Sequence, residues 1–170
     1  MQTQTVQLYS LSLRESKSFL VALAFIVGNI ALPQLCHLIP QGGLIFLPIY
    51  FFTLVGAYKY GWQVGLLTAV ASPIVNCLLF GMPAYAMVPV ILIKSVLLAL
   101  AAGLVASRVR KVSLLSLLAV VLTYQVLGGL AEWAITGTIA APLQDFQLGL
   151  PGLLFQIVGG YLVIRYLLRK

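Results

Sequence analysis

Acid, imidazole and thiol are all scarce in this chain. Glu15, Glu132 and Asp145 are its only carboxylate side chains, His37 its only imidazole, and Cys36 and Cys77 its only thiols. Each scarcity weakens a class of function. Three scattered carboxylates offer no pair for acid–base catalysis. One histidine with no carboxylate at ligand spacing is a poor metal site, and an interfacial histidine or a ligand contact describes it better. Two cysteines without a CxxC build no disulfide framework and pack as small apolar residues. The chain also lacks HExxH, G-x-S-x-G and a phosphate-cradling loop ending in Gly-Lys-Ser/Thr. These absences point away from an enzyme, from a bound cofactor and from any ATP-driven activity of the chain's own.

What the chain has in abundance is apolar length. Hydrophobic residues make up 62% and charged residues 8%, against about 25% charged in an average soluble domain, and the mean hydropathy is +1.09. The expectation is an all-α integral membrane protein in a single domain, resident in the cell's inner (plasma) membrane. The net charge of +7 does not point to nucleic acid, because no basic stripe with interleaved aromatics is present. Nearly all of the positive charge has another use. Arg14 and Lys17 precede the first apolar run, and Lys59 follows the second. Arg108, Arg110 and Lys111 follow the fourth, and Arg165, Arg169 and Lys170 end the chain. Positive charge marks cytoplasmic loops and sits beside anionic lipid. The alternation therefore predicts six spans with both termini inside, at about 18–38, 44–58, 62–80, 86–107, 113–135 and 151–168.

Several local readings accompany these spans. Residues 1–17 are polar and suit a short helix on the inner membrane surface. The first apolar run is too long for a cleavable signal and is read as a membrane helix. Span 2 is shorter than the roughly 20 residues needed to cross a bilayer, so it is either buried in protein or extended by a non-helical segment. Pro33 weakens the end of span 1, and Pro73 is expected to kink span 3. Residues 136–150, with Asp145, read as the longest outer loop. Gly159 and Gly160 permit close helix contact in span 6. Ala24-x-x-x-Gly28, preceded by Ser18-x-x-x-Ala22, places small residues four apart on span 1, for internal packing or for a partner helix. No inverted repeat of the transporter kind is visible.

One basic residue is left over. Lys94 lies inside span 4, where an ionised group is costly and faces protein or a water-filled cavity. Glu132 lies inside span 5, and at 1.5 Å rise per residue the two backbones differ in depth by about 5 Å. Two readings follow. The pair is either a polar pocket in which Lys94 meets an anionic or carbonyl group, or a structural ion pair between spans 4 and 5. Asn76, near the outer end of span 3, orients a ligand or caps a helix. Gln125 lies two turns from Glu132 on nearly the same face. Tyr85 and Trp133 are interface aromatics or stacking partners for a flat ligand.

From Pro40 to Ala106 the chain resembles the substrate-binding S components of energy-coupling factor (ECF) vitamin transporters. The resemblance is carried by Leu47-Pro48, Gly56-Ala57, Gly61, Gly65, Ser72-Pro73, Leu79, Gly81-Met82-Pro83 and Pro89. It looks most like the pantothenate-type subgroup, although Ile49 and Tyr50 stand where many of that subgroup carry a histidine. The resemblance implies high-affinity binding of one vitamin or related micronutrient under the first and third outer loops, at about 38–44 and 80–86. It implies docking on a membrane T subunit driven by two cytosolic ATPases, through small residues of helix 1 that fall here on Ser18, Ala22, Ala24 and Gly28. Lys94 then suits the carboxylate of pantothenate, biotin, lipoate or niacin, with Glu132, Asn76 and Gln125 as polar partners and Tyr85, His37 and Trp133 as further contacts. The rival expectations are a small self-sufficient ion- or proton-coupled carrier and a structural membrane scaffold.

Overall fold

A computed structural model describes residues 8–167, and every regular element among them is helical. The helices are α1 (Ser16–Cys36), α2 (Gly42–Phe46), α3 (Phe51–Tyr60), α4 (Trp62–Phe80), α5 (Val88–Val109), α6 (Leu114–Thr136) and α7 (Ala140–Leu162). Single 3-10 turns precede α3 (Pro48–Tyr50) and α5 (Tyr85–Met87), and a π turn (Val163–Leu167) extends α7. Among the described residues five helices are long and apolar enough to cross a bilayer: α1, α4, α5 with its leading turn, α6, and α7 with its extension. Large apolar side chains such as Leu20, Leu115 and Leu154 point outward from them, as a bilayer-facing surface allows. This is a multi-pass helical membrane protein.

The short helix α3 is the hub. Between Thr53 and Lys59 every residue is buried, and α3 packs against α1, α4, α5 and α7. The expected second span is broken at Leu47, which adopts a left-handed conformation (φ 46°). The cause is local, since the residue before a proline is pushed out of the right-handed helical region. The outer part of that span becomes α2, and only ten residues continue as α3. Close approaches bring the other helices onto the hub. A Cβ on Gly65 would stand 2.9 Å from the backbone of Ala57, and one on Gly159 or Gly160 would stand 3.1 or 3.4 Å from Phe51 or Leu54.

Three expectations are corrected. Residues 136–150 are not a loop. Only residues 137–139 connect α6 to α7, and Asp145 lies within α7. Pro142 falls in the first turn of α7, where the missing N–H costs nothing because those donors have no intrahelical partner. The polar side chains of Gln144, Asp145 and Gln147 give this part of a continuous helix the look of a loop. Residues 8–15 do not form a helix up to Ser16, while residues 1–7 lie outside the described residues. Instead Tyr9 and Leu11 donate their N–H groups to the carbonyls of Lys59 and Tyr60, satisfying acceptors that the end of α3 leaves open. Lys59 is accordingly no solvated loop residue. It is fully buried, with its ammonium 5.0 Å from the centre of the Tyr9 ring.

Asn29 ties three helices together. Its Nδ2 donates to Thr53 Oγ1 (3.0 Å) and Ser72 Oγ (3.3 Å), and its Oδ1 accepts from the Phe52 N–H (3.1 Å). Its backbone carbonyl would normally accept from residue 33, but Pro33 has no N–H to give. Asn76 Nδ2 takes that place at 2.8 Å. The proline in α1 thereby fixes the asparagine of α4.

Candidate functional site

The seven expected site residues fall into separate places. His37 and Asn76 line one cavity of about 380 Å³. It is formed by the end of α1, the 38–49 segment, α4, the Gly81–Ala84 connection and the start of α5. Pro33, Gln41, Pro83 and Met87 also line it, and among the described residues no Asp, Glu, Lys or Arg does. His37 is largely exposed, and its Nδ1 sits 2.6 Å from the Pro33 carbonyl, so Nδ1 donates there. Asn76 is 1% exposed. With its Nδ2 committed to Asn29, its Oδ1 keeps, among the described residues, one bond at the outer limit of length, 3.5 Å from Gln34 Nε2.

Lys94 does not line this cavity, although Ile91, one turn away on α5, does. Its ammonium is ion-paired with Glu132 of α6 at 2.7 Å and also with Asp145 of α7. Side-chain exposures of 3% for Lys94 and Glu132 and 17% for Asp145 make this a buried triad of one positive and two negative groups. Gly128 makes room for the lysine stem, since a Cβ there would stand 2.5 Å from Lys94 Cγ. The triad joins three helices at one point and brings together two carboxylates that the sequence leaves scattered; spacing alone does not reveal it, because Asp145 reads as a loop residue.

Gln125 and Trp133 line a different space, a shallow apolar cleft of about 230 Å³ between α6 and α7. Gln125 Oε1 is buried there without a hydrogen-bond partner among the described residues. Tyr85 is 73% exposed and lines neither space. A third cavity, about 420 Å³, lies at the opposite end of the bundle beside Tyr58, Trp62 and Arg110. There Tyr58 donates to the Lys111 carbonyl (2.6 Å) and approaches Ser116 Oγ (2.8 Å).

The four small residues of α1 do not form one outward face. Ser18 and Ala22 are buried, and Gly28 lies under the ring of Phe52, 2.8 Å from where a Cβ would be. Only Ala24 is exposed. The reason is the inward stripe Ser18, Ala22, Phe25, Asn29 and Pro33, whose helical spacing of three and four includes two of the small residues. Asn29, Gln41 and Asp145 join these sites, although by sequence Asp145 reads as a loop residue and neither Asn29 nor Gln41 stands out as a contact. The pairing of one intramembrane lysine with so few acids was a signal for Asp145, whereas Asn29 and Gln41 had none.

Comparison with protein families, with curated proteins and with solved structures finds no match to this chain.

Proposed function

We propose that this protein is a membrane-embedded binding subunit rather than an enzyme. In this reading it is the S component of an ECF-type transporter, which captures a small vitamin or related micronutrient and docks on a T subunit energised by two ATPases. The chain crosses the plasma membrane six times with both termini cytoplasmic, and the α2–α3 pair supplies the passage that is not one continuous helix. The observation that carries this reading is the 380 Å³ cavity. It lies between the 38–44 and 80–86 segments that the resemblance marks as the ligand cover, and its size falls in the range of about 300–1,000 Å³ typical of small-molecule pockets. Asn76, His37 and Gln41 are its polar contacts. Lys94 reaches a ligand only if that ligand displaces Glu132 or Asp145. Docking through α1 uses its exposed side, where Ala24 stands, and not Ser18 or Ala22.

The test is mass spectrometry of small molecules released from protein purified in detergent without added ligand. A near-stoichiometric vitamin is the expected result. An empty protein that gains no thermal stability across a vitamin panel refutes the reading. Ligand in hundredfold excess over Kd stabilises by about 2.7 kcal/mol, so binding is readily seen.

The buried triad favours a second reading, a self-sufficient ion- or proton-coupled carrier, because intramembrane carboxylates commonly mark ion pathways. That reading requires uptake into liposomes containing this chain alone, with the rate altered by Glu132→Gln.

A further inference from the structure

We infer that the cavity selects an uncharged molecule that presents a hydrogen-bond donor, an amide N–H or a hydroxyl, to Asn76. This deepens the binding-subunit reading and rests on it. It departs from the carboxylate that Lys94 suggested in the sequence.

Three observations carry it. First, among the described residues no Asp, Glu, Lys or Arg side chain lines the cavity, and His37 is its one titratable group. An ionised carboxylate moved out of water into such a lining loses its hydration and meets no permanently ionised counter-charge, which makes the transfer costly. Second, the nearest intramembrane cation on α5 is already saturated. Lys94 carries two carboxylates, Glu132 and Asp145. Its cluster counts one positive and two negative groups, so a third anion approaching it meets net repulsion rather than attraction.

Third, the polarity of Asn76 is fixed. Its Nδ2 donates to the Asn29 carbonyl that Pro33 leaves free, which assigns Nδ2 and Oδ1 without ambiguity. The atom left under-used is Oδ1, an acceptor with one 3.5 Å bond. A buried acceptor in that state is completed by a donor. A ligand amide or hydroxyl supplies one, whereas a carboxylate oxygen would place acceptor against acceptor. The rest of the lining is apolar, with Pro33, Pro83 and Met87 among its walls, and suits a compact hydrocarbon or ring body.

The experiment uses the full chain in detergent and matched pairs that differ mainly in the acid group: nicotinamide against niacin, lipoamide against lipoate, biotinamide against biotin, and pantothenol against pantothenate. Affinity is measured by calorimetry or thermal shift at neutral pH. The expected result is that, in the pair that binds, the neutral member binds at least about tenfold more tightly than its acid, the ratio expected when burial of an unpaired charge is avoided. A preference for the acid overturns the inference while leaving the binding-subunit reading standing. In that case loss of the preference in Lys94→Gln would locate the anion at Lys94. Failure of every member of every pair to bind, with nothing co-purifying, overturns the binding-subunit reading and this inference with it.

Discussion

Removal of the Lys94 ammonium is the sharpest perturbation of this fold. Lys94→Met keeps the stem volume that Gly128 accommodates but deletes the charge. The two carboxylates then face each other without a cation, in a site where the lysine and Glu132 side chains are 3% exposed. At 2.7 Å and an effective dielectric constant of about 20, the lost attraction to Glu132 alone is about 6 kcal/mol before desolvation is counted. Desolvation offsets part of this, and breaking a buried pair from one side typically costs about 3–5 kcal/mol. Glu132→Gln is the control. Its amide oxygen still accepts from the lysine, the Lys94–Asp145 pair survives, and the excess negative charge is gone, so a loss of about 1 kcal/mol is expected. The triple variant Lys94→Met, Glu132→Gln, Asp145→Asn removes every charge and should recover much of the stability of the parent, because the single effects are strongly non-additive. Unfolding followed through Trp62 and Trp133 fluorescence in mixed micelles measures all three. If Lys94→Met costs no more than Glu132→Gln, the triad does not hold α5, α6 and α7 together and the reasoning fails.

Other consequences of the packing are equally direct. Gly103→Ala should destabilise by about 1–3 kcal/mol, since the new methyl meets the Trp62 backbone and neither helix can yield; Gly128→Ala, which meets only the flexible lysine stem, should cost less in the same unfolding assay. Asn29→Ala should destabilise by about 1–3 kcal/mol, because the Phe52 N–H and Thr53 hydroxyl lose their buried partner, and hydrogen exchange should quicken at the start of α3. Cys36 is partly exposed at the end of α1 and Cys77 is buried, so a membrane-impermeant maleimide applied to intact cells should label Cys36 alone. Labelling only after lysis would reverse the proposed orientation.

Much of the architecture was legible in the chain because bilayer physics leaves few options. Long apolar runs must be helical to satisfy their own backbone, so α1, α4, α5 and α6 lie close to their expected bounds. Arg110 and Lys111 fall, as expected, in the connection between α5 and α6. Difficulties arose where tertiary contacts replaced solvent or lipid as the environment. The polar stretch 136–150, with Pro142, reads as a loop in isolation, yet from Ala140 onward it is helical, and Gly149 and Gly152 let α7 lie against Leu47 and Phe46. Similarly, Ser18, Ala22 and Gly28 read as a possible docking stripe, but small residues serve an inner face as readily as an outer one.

Hydropathy, charge alternation and the scarcity of acid are properties of composition and order. By themselves they determined a multi-pass helical membrane protein with one conspicuous intramembrane lysine, because transfer between water and lipid depends on each segment alone. Which polar groups meet is a matter of three dimensions. Only the tertiary structure brought Asp145 to Lys94, turned the Asn76 amide by way of Pro33, and placed the neutral cavity beside the charged triad rather than around it. Those contacts join residues far apart in the chain, and no local spacing encodes the packing that brings them within hydrogen-bond reach.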